Sequence, residues 1–331
     1  MFKKYTSIEN SYRTEFLDRI KGHNFWDRKY AVQEKAHGSN LSFYTIDGIN
    51  FKAAKRTEAL SIDEKFYNHQ LLLDQNIEKF KSIFLDVTRD FENIAQVTIF
   101  GEVIGGSYPH KEVEKNNKAL KVQKGIFYSP NNEFFAFDIQ VNCEMYLDVE
   151  YVNNLFEKHD VLHAKTLHEG SLEDCLKYPN MFPTTIPGLL GFPIIDPNNC
   201  EGVVIKPMET CYFNNGVRVI LKNKNEKWSE NSKQIKSINQ KAPLSEKVKE
   251  LQSVILSYVT ENRLNNVLSK LGEVTIKDFG NIIGNFNRDI IEDFTKDYNS
   301  QLGLLEKKEQ KQVTKSIVFK SSSMIKTYFN K

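Results

Sequence analysis

The chain contains 331 residues, of which 40% are hydrophobic and 27% charged. This composition excludes a fibrous or low-complexity protein, and the length favours two domains with enough apolar material for a large core. The formal net charge of +2 is too small to indicate nucleic-acid binding by the chain as a whole, so any basic surface must be local.

The cysteine pattern argues against a metal site. Cys143, Cys175, Cys200 and Cys211 form no C-x-x-C pair, and no pair of histidines lies beside them at metal-ligand spacing. The first twenty residues lack the apolar run of a signal peptide, and no stretch approaches the roughly 20 apolar residues that a membrane span needs. We therefore expect a soluble, cytoplasmic, monomeric protein with reduced thiols and no membrane partner.

The amino-terminal part of the chain predicts a short helix followed by a β-hairpin. Thr6 and Glu9 have the spacing of a capping box, which predicts that a helix starts there. Residues 41–46 and 49–54 read as two strands, and Asp47-Gly48 between them is typical of a two-residue type I′ turn. The hairpin therefore brings the residues before its first strand and after its second strand to the same end.

The next segments indicate an α+β domain. Apolar residues recur at helical spacing over residues 63–91, which predicts one long helix or two shorter ones. Later strands are predicted at 97–104, 134–141, 202–206 and 217–222, with connecting helices at 148–159 and 171–178. Because helices and strands do not alternate regularly, we expect antiparallel sheets.

A polar stretch, Asn223 to Lys241, marks the predicted domain boundary. We place the first domain at 1–230, a linker at 231–243 and a helical domain at 244–331. An apolar stripe runs from Val248 to Leu271 and ends at Gly272, as expected of a helix terminus. Further helical patterns cover 276–283, 289–298 and 302–328.

Neither common phosphate loop is present, so side chains would have to hold any bound nucleotide. The first candidate cluster runs from Glu34 to Asn40 and contains Lys35, His37 and Gly38. A lysine can attack a phosphate only when it is neutral, and a glycine turn beside a strand end leaves its amine exposed to substrate. Taken alone, the heptapeptide also reads as an ordinary loop.

Three further clusters pair charged or aromatic residues with strand ends. Arg56 follows the hairpin within Lys55 to Thr57, which alone reads as a solvated edge. Glu102 directly follows the apolar run Ile99 to Gly101. Alternation places Phe137 on one strand face and Asp138 on the other, and in isolation Phe137 reads as a core aromatic.

The fifth cluster spans Glu201 to Pro207 and continues at Val219 to Lys224. The two-residue period of a strand places Lys222 and Lys224 on one face, where both ammonium groups can reach one phosphate. Charge runs of this kind are often solvated, but like charges held on one face suggest an anion between them. Glu201 suits Mg²⁺, which prefers one or two carboxylates together with waters and phosphate oxygens.

In this order and at these separations, the five clusters resemble the motifs of the RNA ligase 2 family of T-even phages and its kinetoplastid RNA-editing relatives. The resemblance covers roughly Met1 to Trp228, and residues 259–267 and 277–280 resemble the helical domain of this branch. A DNA ligase or capping enzyme would carry an OB-fold there. The resemblance implies an α+β nucleotidyltransferase (ATP-grasp-like ligase) domain of antiparallel sheets with flanking helices, followed by a small all-α domain.

The resemblance also implies a role for each matching residue. The implied catalytic residues are Lys35, Glu201, Lys222 and Lys224. The implied ATP contacts are Glu34, His37, Asn40, Arg56, Glu102, Phe137, Lys206, Lys222 and Lys224. The implied ligands of Mg²⁺, for which Mn²⁺ can substitute, are Glu201 and Asp138. The implied contacts to RNA ends are Asn40, Arg56, Arg263 and Asp289.

Some of these roles leave alternatives open. His37 faces the departing pyrophosphate or stabilises the turn, and Arg263 serves the RNA or only packs where its helix meets the first domain. Glu58 stands where the family has glycine, so the loop geometry after Thr57 is open.

The resemblance implies an ATP-dependent RNA ligase that joins 3′-hydroxyl and 5′-phosphate RNA ends through lysyl-AMP and RNA-adenylate intermediates. We expect it to seal nicks in duplex RNA during RNA repair, while a bridged break or a tRNA remains open as the natural substrate. The alternatives are an ATP-dependent DNA ligase and a GTP-using capping enzyme, which share the lysine chemistry. A non-catalytic RNA-binding module is disfavoured because the lysines and carboxylates are all retained.

Overall fold

The computed structural model describes residues 2–228 and 244–330. The chain divides into two compact units, Met1–Lys227 and Trp228–Lys331. The predicted linker, residues 231–243, lies outside the described residues and stays a prediction. Among the described residues, no helix has both the length and the apolar character required to cross a membrane.

The first unit contains ten strands and five helices among the described residues. In chain order they are β1 (Glu9–Asn10), α1 (Thr14–Gly22), β2 (Lys29–Glu34), β3 (Ser39–Thr45), β4 (Lys52–Lys55), α2 (His69–Asp90), β5 (Val97–Gly105), β6 (Asn132–Val141), β7 (Met145–Tyr146), α3 (Val149–Lys158), β8 (Thr166–Ser171), α4 (Leu172–Lys177), α5 (Ile186–Leu189), β9 (Gly202–Pro207) and β10 (Leu221–Lys224), followed by a 3₁₀ turn at Glu226–Trp228.

The strands form two five-stranded sheets. The first has the order β1-β10-β9-β2-β8 and the second the order β4-β3-β5-β6-β7. Every pair is antiparallel except β1 with β10, which is parallel. The predicted α+β architecture with antiparallel sheets is therefore confirmed.

Each sheet buries one face under helices. Apolar residues of α2, including Phe80 and Ile83, pack with Phe43 and Phe134 of the second sheet in the largest core cluster. The first sheet has its own cluster, to which α1 contributes Phe16 and Ile20. A smaller cluster draws on both sheets and joins Tyr5, Phe100, Tyr146 and Ile220, so the two sheets share a core in the middle of the unit.

Two local predictions for the amino-terminal segment are wrong. Thr6 and Glu9 do not cap a helix: the Glu9 amide donates to the carbonyl of Ile220, directly before β10, and the first helix begins at Thr14. The hairpin of β3 and β4 pairs Tyr44 with Lys52, so its loop is longer than two residues. The Asp47 carboxylate accepts the amides of residues 49 and 50, which satisfies the loop backbone without a strand ladder.

The other elements of the first unit agree more closely with the sequence pattern. The stretch predicted as one or two helices is the single helix α2, and the predicted strands at 97–104, 134–141 and 202–206 correspond to β5, β6 and β9. The strand predicted at 217–222 is displaced to 221–224, while β1, β2, β7, β8, α1 and α5 were not predicted.

The second unit consists of helices among its described residues. They are α6 (Leu244–Ser257), α7 (Glu261–Leu271), α8 (Phe279–Leu302), α9 (Lys307–Lys315) and α10 (Ile317–Phe329), with a 3₁₀ turn at Ile276–Asp278 before α8. Thr260 caps α7 by accepting the amide of Arg263, and Gly272 follows its last residue, as predicted. Apolar faces of all five helices meet in one core, which confirms the predicted all-α region.

Candidate active site

A cleft opens between the two sheets of the first unit. The residues that line it are Tyr5, Ile8, Gln33, Glu34, Lys35, Ala36, Asn40, Arg56, Glu102, Phe135, Phe137, Ala164, Val204 and Lys206. All five sequence clusters therefore contribute residues to the cleft, and the fifth contributes Val204 and Lys206.

Lys35 is held at one end of this cleft by the backbone around it. It follows β2 directly, and its amide donates to the carbonyl of Gly202 at 2.9 Å. Two residues on, the amide of His37 donates to the hydroxyl of Tyr128 at 2.9 Å. A Cβ atom on Gly38 would lie 2.3 Å from the carbonyl oxygen of Val103, so only glycine lets this turn press against β5. The lysine thus extends from a fixed turn.

Glu201 is the centre of charge beside Lys35. Its Oε2 atom lies 2.8 Å from Lys35 Nζ and its Oε1 atom 2.8 Å from Lys224 Nζ, while His37 Nδ1 is 3.4 Å away. The Glu201 side chain is only 2% exposed. Burial opposes its ionisation, but the charges of Lys224 and Lys35 outweigh burial and hold the pKa of Glu201 well below its ordinary value. Glu201 is therefore a permanent anion between two lysines.

His37 contributes little positive charge to this group at neutral pH. Burial lowers the pKa of His37, and the nearby Glu201 only partly opposes that effect. Its backbone amide also anchors the turn through Tyr128. The contacts fit the turn-stabilising alternative, while the expected role beside pyrophosphate stays a prediction.

The paired lysines of β10 project toward the cleft. In the antiparallel ladder with β9, Lys222 lies opposite Val204 and Lys224 opposite Gly202. Directly opposed residues of an antiparallel pair share a sheet face, and Val204 lines the cleft. The register therefore agrees with the face that the two-residue period predicts for both lysines.

Polar residues of the second sheet form the opposite wall. Asn40 on β3 is paired with Glu102 on β5, and Arg56 follows β4. Burial raises the pKa of Glu102 to about 7, against the opposing charge of Lys35. The Asn40 Oδ1 atom is buried and has no hydrogen-bond partner within residues 2–228 and 244–330, so it can accept a hydrogen bond from a ligand.

The loop after Thr57 does not need the family's glycine. The amide of Lys55 donates to the carbonyl of Glu58 at 3.0 Å, which closes the turn, and the Glu58 carboxylate lies 3.1 Å from Lys55 Nζ. Lys55 also pairs with Glu64 at 2.7 Å. The exposed Glu58 side chain is thus accommodated without strain in this loop.

Phe137 lies on the cleft wall, with its ring edge-on to Tyr5 at a centroid distance of 5.0 Å. Lys206 Nζ donates to the Phe137 carbonyl at 2.7 Å and lies 3.2 Å from Asp138 Oδ2. Burial lowers the pKa of Lys206 to about 8, although Asp138 opposes the shift. Phe137 and Lys206 therefore line the cleft, the Lys206 ammonium is bound to protein acceptors, and their expected contacts with the nucleotide stay predictions.

The metal-ligand role expected for Asp138 does not agree with its contacts. Its side chain is 1% exposed, and its oxygens accept from Arg218 Nη1 at 2.7 Å and from the Tyr5 hydroxyl at 2.6 Å. Burial alone would raise the pKa of Asp138, but Arg218 and Lys206 hold it below its ordinary value. Asp138 therefore neutralises the buried cations Arg218 and Lys206. Its place on one strand face did not indicate these partners.

Glu34 also differs from its expected role. Its carboxylate accepts hydrogen bonds from the Thr184 hydroxyl and from the amide and hydroxyl of Thr185, at 2.8 and 2.6 Å for the latter two. Burial raises the pKa of this carboxyl, and the two threonines oppose the shift. The side chain therefore fastens the segment before α5.

In the second unit, the two predicted RNA-end residues contact each other. Arg263 Nη1 lies 2.6 Å from Asp289 Oδ2 and 3.0 Å from Asp293 Oδ2, and the Arg263 side chain is 2% exposed. Its guanidinium lies 5.6 Å from the centre of the Tyr258 ring. Arg263 is thus buried in ion pairs within its own unit, and both its expected role toward RNA and the alternative of packing where its helix meets the first domain stay predictions.

A protein-only metal site is absent from the part of the chain that the structure describes, where no three His, Cys, Asp or Glu side chains cluster suitably. The donor set instead fits a phosphate-bound Mg²⁺, which takes one or two carboxylates and completes its shell with waters and phosphate oxygens. Glu201 is ionised and contacts Lys35, which lines the cleft. The four cysteines are unbridged, as expected.

Sequence reasoning missed four residues around the cleft: Gln33, Tyr5, Tyr128 and Arg218. Arg218 stood in a run predicted as a strand, where one charged residue among apolar neighbours indicates a buried ion pair. The two tyrosines and Gln33 carried no comparable pattern.

Comparison with known proteins identifies two family models in this chain. Residues 28–224 match the model described as RNA ligase, and residues 242–323 match the one described as T4 RNA ligase 2 C-terminal. The mitochondrial RNA-editing ligase 2 of Trypanosoma brucei brucei is 26% identical over 385 aligned residues, which cover 98% of this chain and 90% of that protein. RNA-editing ligase 1 of the same organism is 25% identical over 338 residues, covering 82% and 71%.

Solved structures of Naegleria gruberi RNA ligase also match. One mutant of that enzyme with ATP and Mn is 20% identical, with a TM-score of 0.43, and covers 69% of this chain. An apo mutant is 18% identical with a TM-score of 0.44 and covers 67%. The present chain spans 57% and 56%, respectively, of those two chains.

Proposed function

Because this chain belongs to the RNA ligase family, we propose that it uses ATP to join RNA ends bearing a 3′-hydroxyl and a 5′-phosphate. The observation that carries the proposal is the arrangement of Lys35, Glu201 and Lys224 beside a cleft between the two sheets. A nucleophilic amine, a permanent anion and a second cation are held there within 2.8 Å contacts.

In the first step, Lys35 Nζ attacks the α-phosphorus of ATP. The N–P bond forms as the P–O bond to the β-phosphate breaks, and the electron pair leaves with pyrophosphate. The ammonium group loses two protons in all, one before the attack and one from the phosphoramidate nitrogen. Lys224 and Lys222 face the same cleft and offset the negative charge that the phosphate carries through the transition state.

The next two steps transfer the adenylyl group and seal the strand. An oxygen of the RNA 5′-phosphate attacks the AMP phosphorus, the N–P bond breaks, and Lys35 takes up protons again. The 3′-hydroxyl oxygen then attacks the 5′-phosphorus, loses its proton and displaces AMP. Glu201, with phosphate oxygens, would hold a Mg²⁺ or Mn²⁺ ion, which supplies charge neutralisation when bound.

Labelling of the protein tests the first step. We expect wild-type protein incubated with α-labelled ATP and Mg²⁺ to acquire an acid-labile label, whereas Lys35→Ala does not. Lys177→Ala is the matched control, because Lys177 is exposed and pairs with the surface residue Glu173. An adenylate that still forms on Lys35→Ala would overturn the proposal, and labelling by GTP instead of ATP would favour a capping enzyme.

We further propose nicked duplex RNA as the substrate and RNA repair as the role. The support is the match to the model described as T4 RNA ligase 2 C-terminal and the similarity to two RNA-editing ligases. Ligation should be compared on nicked duplex RNA, single-stranded RNA ends, RNA/DNA hybrids and nicked DNA. The fastest sealing is expected on nicked RNA, and preference for a DNA 3′-hydroxyl strand would support a DNA ligase.

A further inference from the structure

The buried amide of Gln33 borders the cleft but takes no part in the chemistry described above. Gln33 lies on β2, is 2% exposed and is paired with Val204 of β9. Opposed residues of an antiparallel pair share a face, and both line the cleft. The side chain of Gln33 is therefore on the side of the sheet where a nucleotide would bind.

Two acceptors determine which way this amide points. Gln33 Nε2 donates to the backbone carbonyl of Ala164 at 2.8 Å and to Asn153 Oδ1 at 3.3 Å. A backbone carbonyl cannot donate, so the reversed amide would place two oxygens against each other. Asn153 is held in turn by the hydroxyl of Thr166, at 2.9 Å from Asn153 Nδ2. The nitrogen of Gln33 is thus committed to the protein.

The oxygen of the same amide does not share these hydrogen bonds. Gln33 Oε1 is buried and has no hydrogen-bond partner among residues 2–228 and 244–330. Buried acceptors in native proteins are almost always paired, and because this one lines the cleft it is available to a donor on the ligand. The same cleft presents the ring of Phe137 and the side chain of Val204, apolar surfaces that fit the faces of a purine base.

We propose that Gln33 Oε1 accepts a hydrogen bond from the 6-amino group of adenine and thereby makes the site prefer ATP. This inference rests on the proposed function. Guanine and hypoxanthine carry a carbonyl oxygen at position 6, which would meet the Gln33 oxygen as a second acceptor. Asn40 Oδ1, another bare acceptor of the cleft lining, lies on β3 opposite Glu102, whose carboxyl suits the sugar, so we assign the amino group of the base to Gln33 on the other sheet.

The test compares ATP with purine riboside 5′-triphosphate, which lacks only the 6-amino group. The measurement is kcat/KM for lysyl-adenylate formation, or for the corresponding purine adduct. Wild-type protein should prefer ATP by about 10-fold or more, because a buried acceptor left unpaired is costly and an amino group removes that cost. Gln33→Met, which keeps the length of the side chain but removes both polar atoms, should reduce that preference at least about five-fold.

Gln140→Met is the matched control. Gln140 is also a buried strand glutamine, 1% exposed, and its Oε1 likewise has no partner among the described residues, but it does not line the cleft. Its substitution should leave the preference for ATP unchanged. Gln33→Asn, which withdraws the amide by one carbon, supplies a second variant if Gln33→Met does not fold.

The outcomes distinguish a failure of the role proposed for Gln33 from a failure of the proposed function. Equal use of both triphosphates by wild-type protein, or an undiminished preference in a folded Gln33 variant, would overturn the role of Gln33 while leaving the proposed function intact. The preference for ATP over 2′-deoxy-ATP should be measured in the same proteins. If Gln33→Met changes that preference and leaves the preference for the 6-amino group unchanged, the role of Gln33 is overturned as well, since its oxygen would then bind the ribose. No adduct with any triphosphate would refute the proposed function itself.

Discussion

Replacing Glu201 with glutamine tests the charge arrangement of the site most directly. The substitution keeps the shape of the side chain but leaves Lys35 and Lys224 facing each other without the anion that each contacts at 2.8 Å. Removing one member of a buried ion pair typically destabilises a protein by about 3–5 kcal/mol. The Lys35 side chain keeps 19% exposure, so water compensates part of the loss and we expect about 3 kcal/mol.

Thermal unfolding at pH 6 measures this effect. For a unit of this size, a loss of about 3 kcal/mol lowers Tm by about 6–12 °C. Added pyrophosphate should raise the Tm of Glu201→Gln more than that of the wild type, because its negative charge replaces the missing anion between the lysines. The same variant should form little lysyl-adenylate.

Glu102→Gln is the matched control for stability. Burial raises the pKa of Glu102 to about 7, so this carboxyl is mostly neutral at pH 6. Its replacement by the neutral amide should change the free energy of unfolding by less than about 1 kcal/mol at that pH. If Glu201→Gln were as stable as the wild type, or Glu102→Gln equally destabilised, the assignment of charges in the site would be refuted.

The pH dependence of the free energy of unfolding checks independently that ionised Glu201 stabilises the protein. The folded-state pKa of Glu201 is held well below its ordinary value, so its contribution is fully present above the unfolded pKa of about 4.3. That contribution is lost as the pH falls through the lower folded pKa. The stability difference between wild type and Glu201→Gln should therefore be constant from pH 5 to pH 6, within about 0.5 kcal/mol, and narrow below about pH 4. A difference that widens in acid would contradict this reasoning.

Three further predictions concern other parts of the chain. Arg218→Met leaves the buried Asp138 carboxylate without its closest cation and should lower the free energy of unfolding by about 3 kcal/mol in urea titrations, whereas an unchanged midpoint would contradict the buried pair. Phe137→Leu should raise KM for ATP in adenylylation about ten-fold through lost stacking on the base, and an unchanged KM would place the base elsewhere. A fragment that ends near Lys241 should still seal RNA already carrying a 5′-adenylate but lose most reaction with ATP and 5′-phosphate ends, and equal activity on all substrates would make the helical unit dispensable.

Local sequence was sufficient to predict much of the site. Whether a side chain lies on one strand face or the other depends on a period of two residues, so Lys222 and Lys224 could be assigned to a common face from their spacing. A glycine turn is equally local, and Gly38 was recognised within the lysine cluster. The α6–α7 region was predicted as helical because its apolar stripe follows the helical period and ends at Gly272.

The partners of buried polar groups were not predictable in this way. The resemblance implied a metal role for Asp138, but its strand face did not show what packs there, and only the meeting of the sheets brings Arg218, 80 residues away, within 2.7 Å. Glu34 similarly finds Thr185, 151 residues along the chain. Such pairings depend on sheet register and on which loops cross which strands, and neither leaves a periodic trace in the sequence.

The sequence by itself therefore determined the order of the motifs, the faces of the strands and the helical character of the second unit, because these follow from short-range periodicity. The tertiary structure decided which charges are shared, which are buried, and that the oxygen of Gln33 is left without a partner in the described residues on the cleft wall. The physical reason is that desolvation and ion pairing depend on every group within a few ångströms, and most of those groups come from distant parts of the chain.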